Sequence, residues 1–175
     1  MANDNRTLED RVRAIEDRLD IYNLIASHPP SADTGADYYT RAAYVEDGEL
    51  DLGRGKAMTG NATIAGATKT PAHQAAIAGG LAHFAGLPRI ELDGDRAAVT
   101  SYLQILTPHP TAAPHEVPNH GVSTGFRIHR VAANRWELER TAAGWKIRRR
   151  TVRTIDGTEP PREILRGALQ SFAAG

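Results

Sequence analysis

The stretch LAHFAGLPRIELDGD, residues 81–95, is where the chain changes period. Ile90 and Leu92 alternate with Arg89, Glu91 and Asp93, and Asp93-Gly94-Asp95 then turns the chain. That pattern reads as a half-buried strand running into a hairpin. The first half poses a question. His83 stands among Leu81, Ala82, Phe84 and Ala85, where a core is expected. It is either a packed structural histidine or a base whose partner comes from elsewhere in the chain.

Downstream of this point the period stays near two. Strands are predicted near 83–93, 96–107, 119–132, 134–142 and 144–155. Asp93-Gly94-Asp95, Ala132-Ala133-Asn134 and Ala142-Ala143-Gly144 are read as the turns between them. TPHPTAAPHEVPN, residues 107–119, is read as a long connection because of its prolines. Upstream the period is helical. Residues 7–27 form a predicted helix with Thr7 as N-cap and Asp10 three residues on. Leu8, Val12, Ile15, Leu19, Tyr22 and Ile25/Ala26 recur at three or four and are read as its core face. Pro29-Pro30 is read as its end, and SADTG (31–35) as a loop. A second helix is expected over 36–46, with Tyr39 and Tyr44 inward and Asp47-Gly48 as its stop. A short strand at 49–52, a loop at 53–61 and an Ala-rich helical segment at 61–80 follow. Helices first and long antiparallel strands second imply an α+β fold, a curved sheet closed on one face by N-terminal helices.

Length and charge narrow the function. A chain of 175 residues suggests one domain, 1–175, with its core at about 7–155 and a tail helix at about 160–170. Lys plus Arg equals Asp plus Glu at 21 each, so no global charge calls for nucleic acid or an anionic membrane. With no cysteine, thiolate nucleophiles, disulfides and Cys-type zinc sites are excluded. No apolar run reaches a membrane-spanning length, and the start MANDNRTLEDR is polar, so a cytoplasmic protein is expected. His109, His115 and His120 lie six and five apart among prolines, which fits no standard metal-ligand pattern. Arg148-Arg149-Arg150 alternates across a strand and is read as a solvated or interface sheet face.

Three segments carry a resemblance. DTGADYYTRAAYVEDGELD (33–51), HFAGLPRIELDGDRAAVTSYLQI (83–105) and RWELERTAAGWKIRRRTVR (135–153) appear in that order. They resemble the SnoaL-like, nuclear-transport-factor-2-like superfamily. The resemblance implies a cone-shaped, mostly antiparallel sheet, a cystatin-like α+β barrel. Within it the chain is most similar to the branch of scytalone dehydratase, bile-acid 7α-dehydratase and hexachlorocyclohexane dehydrochlorinase. There an Asp after the first helix and a His before the sheet form a catalytic dyad; Asp33 and His83 are the matching positions. Two departures stand out. His28 replaces a tyrosine that acts as an acid in some members. Leu52 falls where the ketosteroid isomerase branch has an aspartate, which argues against isomerase chemistry.

The residue chemistry agrees with that role without requiring it. An imidazole titrates near neutral pH, and a carboxylate on its other nitrogen fixes its tautomer and stabilises the imidazolium. A packed His83 and an Asp33 that caps a helix are the structural alternatives. Trp136, Leu138 and Arg140 share one strand face, so Arg140 is expected to face the cavity with the first two and polarise a leaving oxygen. Tyr22 and His28 are further acid/base candidates, Tyr22 being a core residue first. Tyr102, Trp136, Leu138, Tyr44 and Phe84 are candidate substrate-binding residues.

The expected activity is a cofactor-free, metal-free, dehydratase-like elimination on a small hydrophobic cyclic, aromatic or polyketide-type molecule. The alternatives are a non-enzymatic ligand-binding or scaffold domain and a β-subunit-like role. The resemblance also implies a homo-oligomer, with a trimer favoured over a dimer; Phe126, Ile128, Val131, Ile147 and Val152 are not expected all to point inward, so an outer sheet face is the expected contact.

Overall fold

The computed structural model describes residues 7–173. Residues 1–6, part of the polar start read above, lie outside the described residues. Helix α1 (Leu8–Ala26) opens on Thr7, whose hydroxyl accepts the Asp10 amide while the Asp10 carboxylate accepts the Thr7 amide. This reciprocal cap satisfies two otherwise orphaned donors. The face that α1 buries corrects the sequence reading. Asp17, Ile21 and Ile25 pack inward, while Leu8, Val12, Ile15, Leu19 and Tyr22 face outward. The helix carries two apolar arcs, and an ion pair from Asp17 to the sheet selects the shorter one.

The Pro29-Pro30 pair also acts differently from the expectation. It starts a second helix, α2 (His28–Thr34), because prolines in a first turn lack only amides that would have no helical partner. Asp33 therefore sits on a helix rather than in a loop. Gly35 closes α2 in the left-handed conformation at φ 65°, where a Cβ would also strike Gln74, and α3 (Asp37–Ala43) follows. Tyr44 ends α3 and begins β1 (Tyr44–Asp51). Asp47-Gly48 lies within that strand at an irregularity in its register, and does not stop a helix. A Cβ on Gly48 would press on backbone carbonyls of Val45 and Ile147.

Strand β2 (Met58–Thr59), helices α4 (Asn61–Ala67) and α5 (Pro71–Ala78), and strands β3 (Ala82–Ala85) and β4 (Arg89–Asp93) come next. The predicted strand 83–93 is thus two strands, broken at Gly86-Leu87-Pro88. Both pair with β5 (Arg96–Pro108), His83 opposite Ile105 and Ile90 opposite Val99. A small hairpin, β6 (His115–Val117) and β7 (Gly121–Ser123), interrupts the long connection, with Asn119 at φ 66° in its turn. Strand β8 (Phe126–Thr141) runs unbroken through Ala132-Ala133-Asn134, where a turn was expected. Those three residues are buried and paired with β5 on one side and β9 (Gly144–Thr154) on the other. A small-residue tripeptide signals close packing as readily as a turn. Helix α6 (Glu159–Ala173) packs against β8 and β9.

The main sheet has the order β2-β1-β9-β8-β5-β3, with β4 also on β5, and every pairing is antiparallel except β1 with β9. It is curved and unclosed, with the N-terminal helices against its inner face. Trp136, Val99, Ile21, Ile25 and Ile64 form the centre of the core. Among the described residues no helix is long and apolar enough to cross a membrane.

Candidate active site

Asp33 on α2 and His83 on β3 meet across fifty residues of sequence. The Asp33 carboxylate accepts the ring Nδ1 of His83 at 2.6 Å and the His83 backbone amide at 2.9 and 3.1 Å. An ionised carboxylate only accepts, so Nδ1 carries the proton and Nε2 keeps its lone pair. Burial pushes the pKa of His83 below its ordinary value, against the opposing hydrogen bond and charge of Asp33, with Arg150 and His73 adding to the downward push. The net effect favours the neutral ring of His83.

His83 lines a cavity of about 260 Å³ whose walls include Leu50, Met58, Ile64, Leu103, Ile105 and Val152. Polar groups enter it at few places. His28 and His73 flank His83, with ring centroids 6.2 and 6.5 Å from it. His73 donates from Nε2 to the Ala32 carbonyl at 2.8 Å, since a carbonyl only accepts. Arg150 is 4% exposed and has no carboxylate partner among the described residues. Its guanidinium stacks on Trp136 at 4.1 Å, donates to Asn134 Oδ1 at 3.2 Å and to His28 Nε2 at 2.6 Å. Burial lowers the pKa of His28 well below the ordinary value, and the adjacent Arg150 charge lowers it further. The buried Tyr44 hydroxyl lines the same cavity beside Arg150. Burial raises its pKa, against the opposing influence of Arg150.

A SnoaL-like domain model matches residues 13–151. The chain belongs to the SnoaL-like family. This SnoaL-like chain is 34% identical to an NTF2-like protein with a cystatin-like fold from Novosphingobium aromaticivorans, with a TM-score of 0.80 and coverage of 94% of this chain and 99% of that one. It shares the fold, at 13% identity and a TM-score of 0.65, with hexachlorocyclohexane dehydrochlorinase LinA-type3 from Novosphingobium barchaimii, over 83% and 90% of the two chains. Aln2 from a Streptomyces species has the same fold at 16% identity and a TM-score of 0.62, over 81% and 92%. No curated protein matches the SnoaL-like chain.

Of the residues singled out from sequence, His83, His28 and Tyr44 line this cavity, Asp33 stands behind His83 through its hydrogen bonds, and Trp136 packs edge-on against His28 at 5.3 Å. The other five lie elsewhere. Arg140 does share a strand face with Trp136, but the cavity ends before it. It clamps Asp17 through two bonds of 2.6 Å, reaches Asp95 at 2.7 Å and stacks over Trp145. These partners raise its pKa and give it a structural role under α1. Leu138 lies toward the same end, beside a wider groove of about 1030 Å³ whose lining holds no histidine and includes the ion pairs Arg89–Glu91 and Arg148–Glu139. Tyr22 is 44% exposed and lines a small surface cleft with Leu87. Tyr102 and Phe84 point out of the sheet, being 50% and 66% exposed. Their alternation partners Leu103, Ile105 and His83 take the inner face.

Arg150 and His73 were missed. Trp145 and Ile147 face inward, so strict alternation would send Arg149 inward and Arg150 out. The register between β8 and β9 shifts between Glu137 and Leu138, and this bulge turns Arg150 and Val152 inward instead. The three arginines then part company. Arg148 goes to Asp47 and Glu139, Arg149 to Glu49, and Arg150 to the cavity. His73 carries no sequence signal beyond being a lone polar ring in an Ala-rich helix.

Proposed function

We propose that the chain is a cofactor-free lyase that eliminates water or a comparable leaving group from a small hydrophobic cyclic or aromatic molecule. The observation that supports this is the 2.6 Å bond from Asp33 to His83 Nδ1, which leaves a neutral Nε2 on an apolar-walled cavity. In this reading Nε2 removes a proton from carbon next to a carbonyl. The C–H electron pair forms the new double bond and the C–O bond on the adjacent carbon breaks. The leaving hydroxyl departs as water, taking the proton back from the His83 imidazolium. Asp33 stabilises that imidazolium while it exists. Arg150, rather than Arg140, meets the negative charge that develops on the substrate carbonyl oxygen. The Tyr44 hydroxyl is a second donor toward the same region.

A non-enzymatic ligand-binding domain is the second reading, and the open cavity would serve it equally. A panel of cyclic hydroxyketones assayed for water loss, with wild type beside His83→Ala, separates the two. Turnover by wild type and its loss in the variant support the lyase. Binding of panel members with no turnover overturns it.

A further inference from the structure

The outward arc of α1 has a definite pattern. Leu8, Val12, Ile15, Leu19 and Tyr22 follow one another at four, three, four and three residues, the spacing of the a and d positions of a heptad repeat. They are 73%, 45%, 59%, 58% and 44% exposed. Scattered exposed apolar residues are ordinary, but five in one continuous row mark an interaction surface. Tyr22 shares its cleft with Leu87, which is 88% exposed and extends the row onto the loop before β4.

We propose that this face pairs with α1 of a second copy as a parallel, in-register, two-stranded coiled coil. The borders of the row choose the occupant and the direction. Arg11 and Arg18 lie along one border, and Glu9 and Glu16 along the other. With Val12 and Leu19 as a positions and Leu8, Ile15 and Tyr22 as d positions, the arginines are g residues and the glutamates e residues. A parallel pair sets g of one helix against the following e of the other, so Arg11 meets Glu16 of the second copy twice by symmetry. An antiparallel pair sets arginine against arginine and glutamate against glutamate. Arg18 also donates to the Ile90 carbonyl, whereas Arg11 and Glu16 have no ion-pair partner among the described residues.

The width of the row sets the number of strands. It is bounded by charge directly beside the a and d positions, the narrow seam of a two-stranded coil. The geometry of the domain permits the pairing, because Asp17 and Ile21, which anchor the helix to the sheet, leave it on the side away from the row. The two domains therefore lie on opposite flanks of the seam. The homo-oligomer expected from sequence then forms through α1 as a dimer, not through the outer sheet face as a trimer.

Sedimentation tests the seam. Wild type is expected to be a dimer at high micromolar concentration. The Ile15→Glu, Leu19→Glu double variant is expected to be a monomer with unchanged circular dichroism, since both positions are exposed. A monomeric wild type, or a double variant that stays dimeric, overturns the proposal. Charge exchange tests the direction. Arg11→Glu and Glu16→Arg should each weaken the dimer on the order of three- to tenfold, and together restore it. Because the chain has no cysteine, Leu8→Cys gives a second reading. Parallel helices bring the two thiols together to form a disulfide on oxidation, whereas antiparallel ones hold them about 20 Å apart. No restoration by the charge exchange, or no disulfide from Leu8→Cys, overturns the parallel arrangement.

Discussion

Arg150 donates to Nε2 of His28 at 2.6 Å, and the two side chains share Trp136 as their floor. A guanidinium cannot accept a hydrogen bond, so this contact requires the lone pair of His28. Protonating His28 would set two cations against each other in a buried site.

Acid should therefore weaken the fold before carboxylates titrate. The folded pKa values of His28 and His83 are both lowered from 6.5. As pH falls below about 6.5, the unfolded chain binds protons that the folded chain does not. Stability is complete above that value and declines below it, by up to about 1.4 kcal/mol per pH unit for each such group. Urea unfolding at pH 7.5 and pH 5 measures the slope. His28→Gln should flatten it, and an unchanged slope would remove His28 from the account.

Turnover should depend on Asp33 and His83 as a unit. Asp33→Asn keeps the shape but removes the charge that stabilises the imidazolium, and a loss on the order of 10² to 10⁴ is expected. His83→Ala should cost a similar factor and the double variant scarcely more. Single losses that multiply in the double variant would show that the two act separately.

The two arginines should behave in opposite ways. Arg140→Met leaves the buried Asp17 without its guanidinium, and about 2–4 kcal/mol of stability should be lost, with activity per folded molecule retained. Arg150→Met removes a buried cation that no carboxylate neutralises. Stability should change by about 1 kcal/mol or less, or rise, and turnover should fall on the order of 10²-fold. Unfolding curves and steady-state rates on the same samples decide it. Equal stability losses in the two variants would contradict the assignment of Arg150 to the cavity.

The fold was legible because it rests on period and turn chemistry. The alternation of Ile90 and Leu92, the Asp93-Gly94-Asp95 turn and the Thr7 cap are local signals, and the structure has each of them. The contact between Asp33 and His83 in the candidate site was legible only because the resemblance supplied the two positions. Parity failed where something beyond the strand decided the outcome. A register shift turned Arg150 inward, and the end of the cavity left Arg140 beneath α1. The α1 stripe failed for a different reason. A helix with two apolar arcs offers two core faces, and the Asp17–Arg140 pair that chooses between them joins residues 123 apart.

The central claim is that Asp33 tunes His83 as a neutral base, and an NMR titration of the His83 ring tests it most directly. Wild type and Asp33→Asn would be compared, with the resonance assigned by its loss in His83→Gln. The midpoint should lie below 6.5 in wild type, because burial outweighs the carboxylate. In Asp33→Asn it should fall further, because burial and the Arg150 and His73 charges remain while the opposing charge is gone. Two titration curves that overlay would show that His83 does not sense Asp33, and would contradict the account.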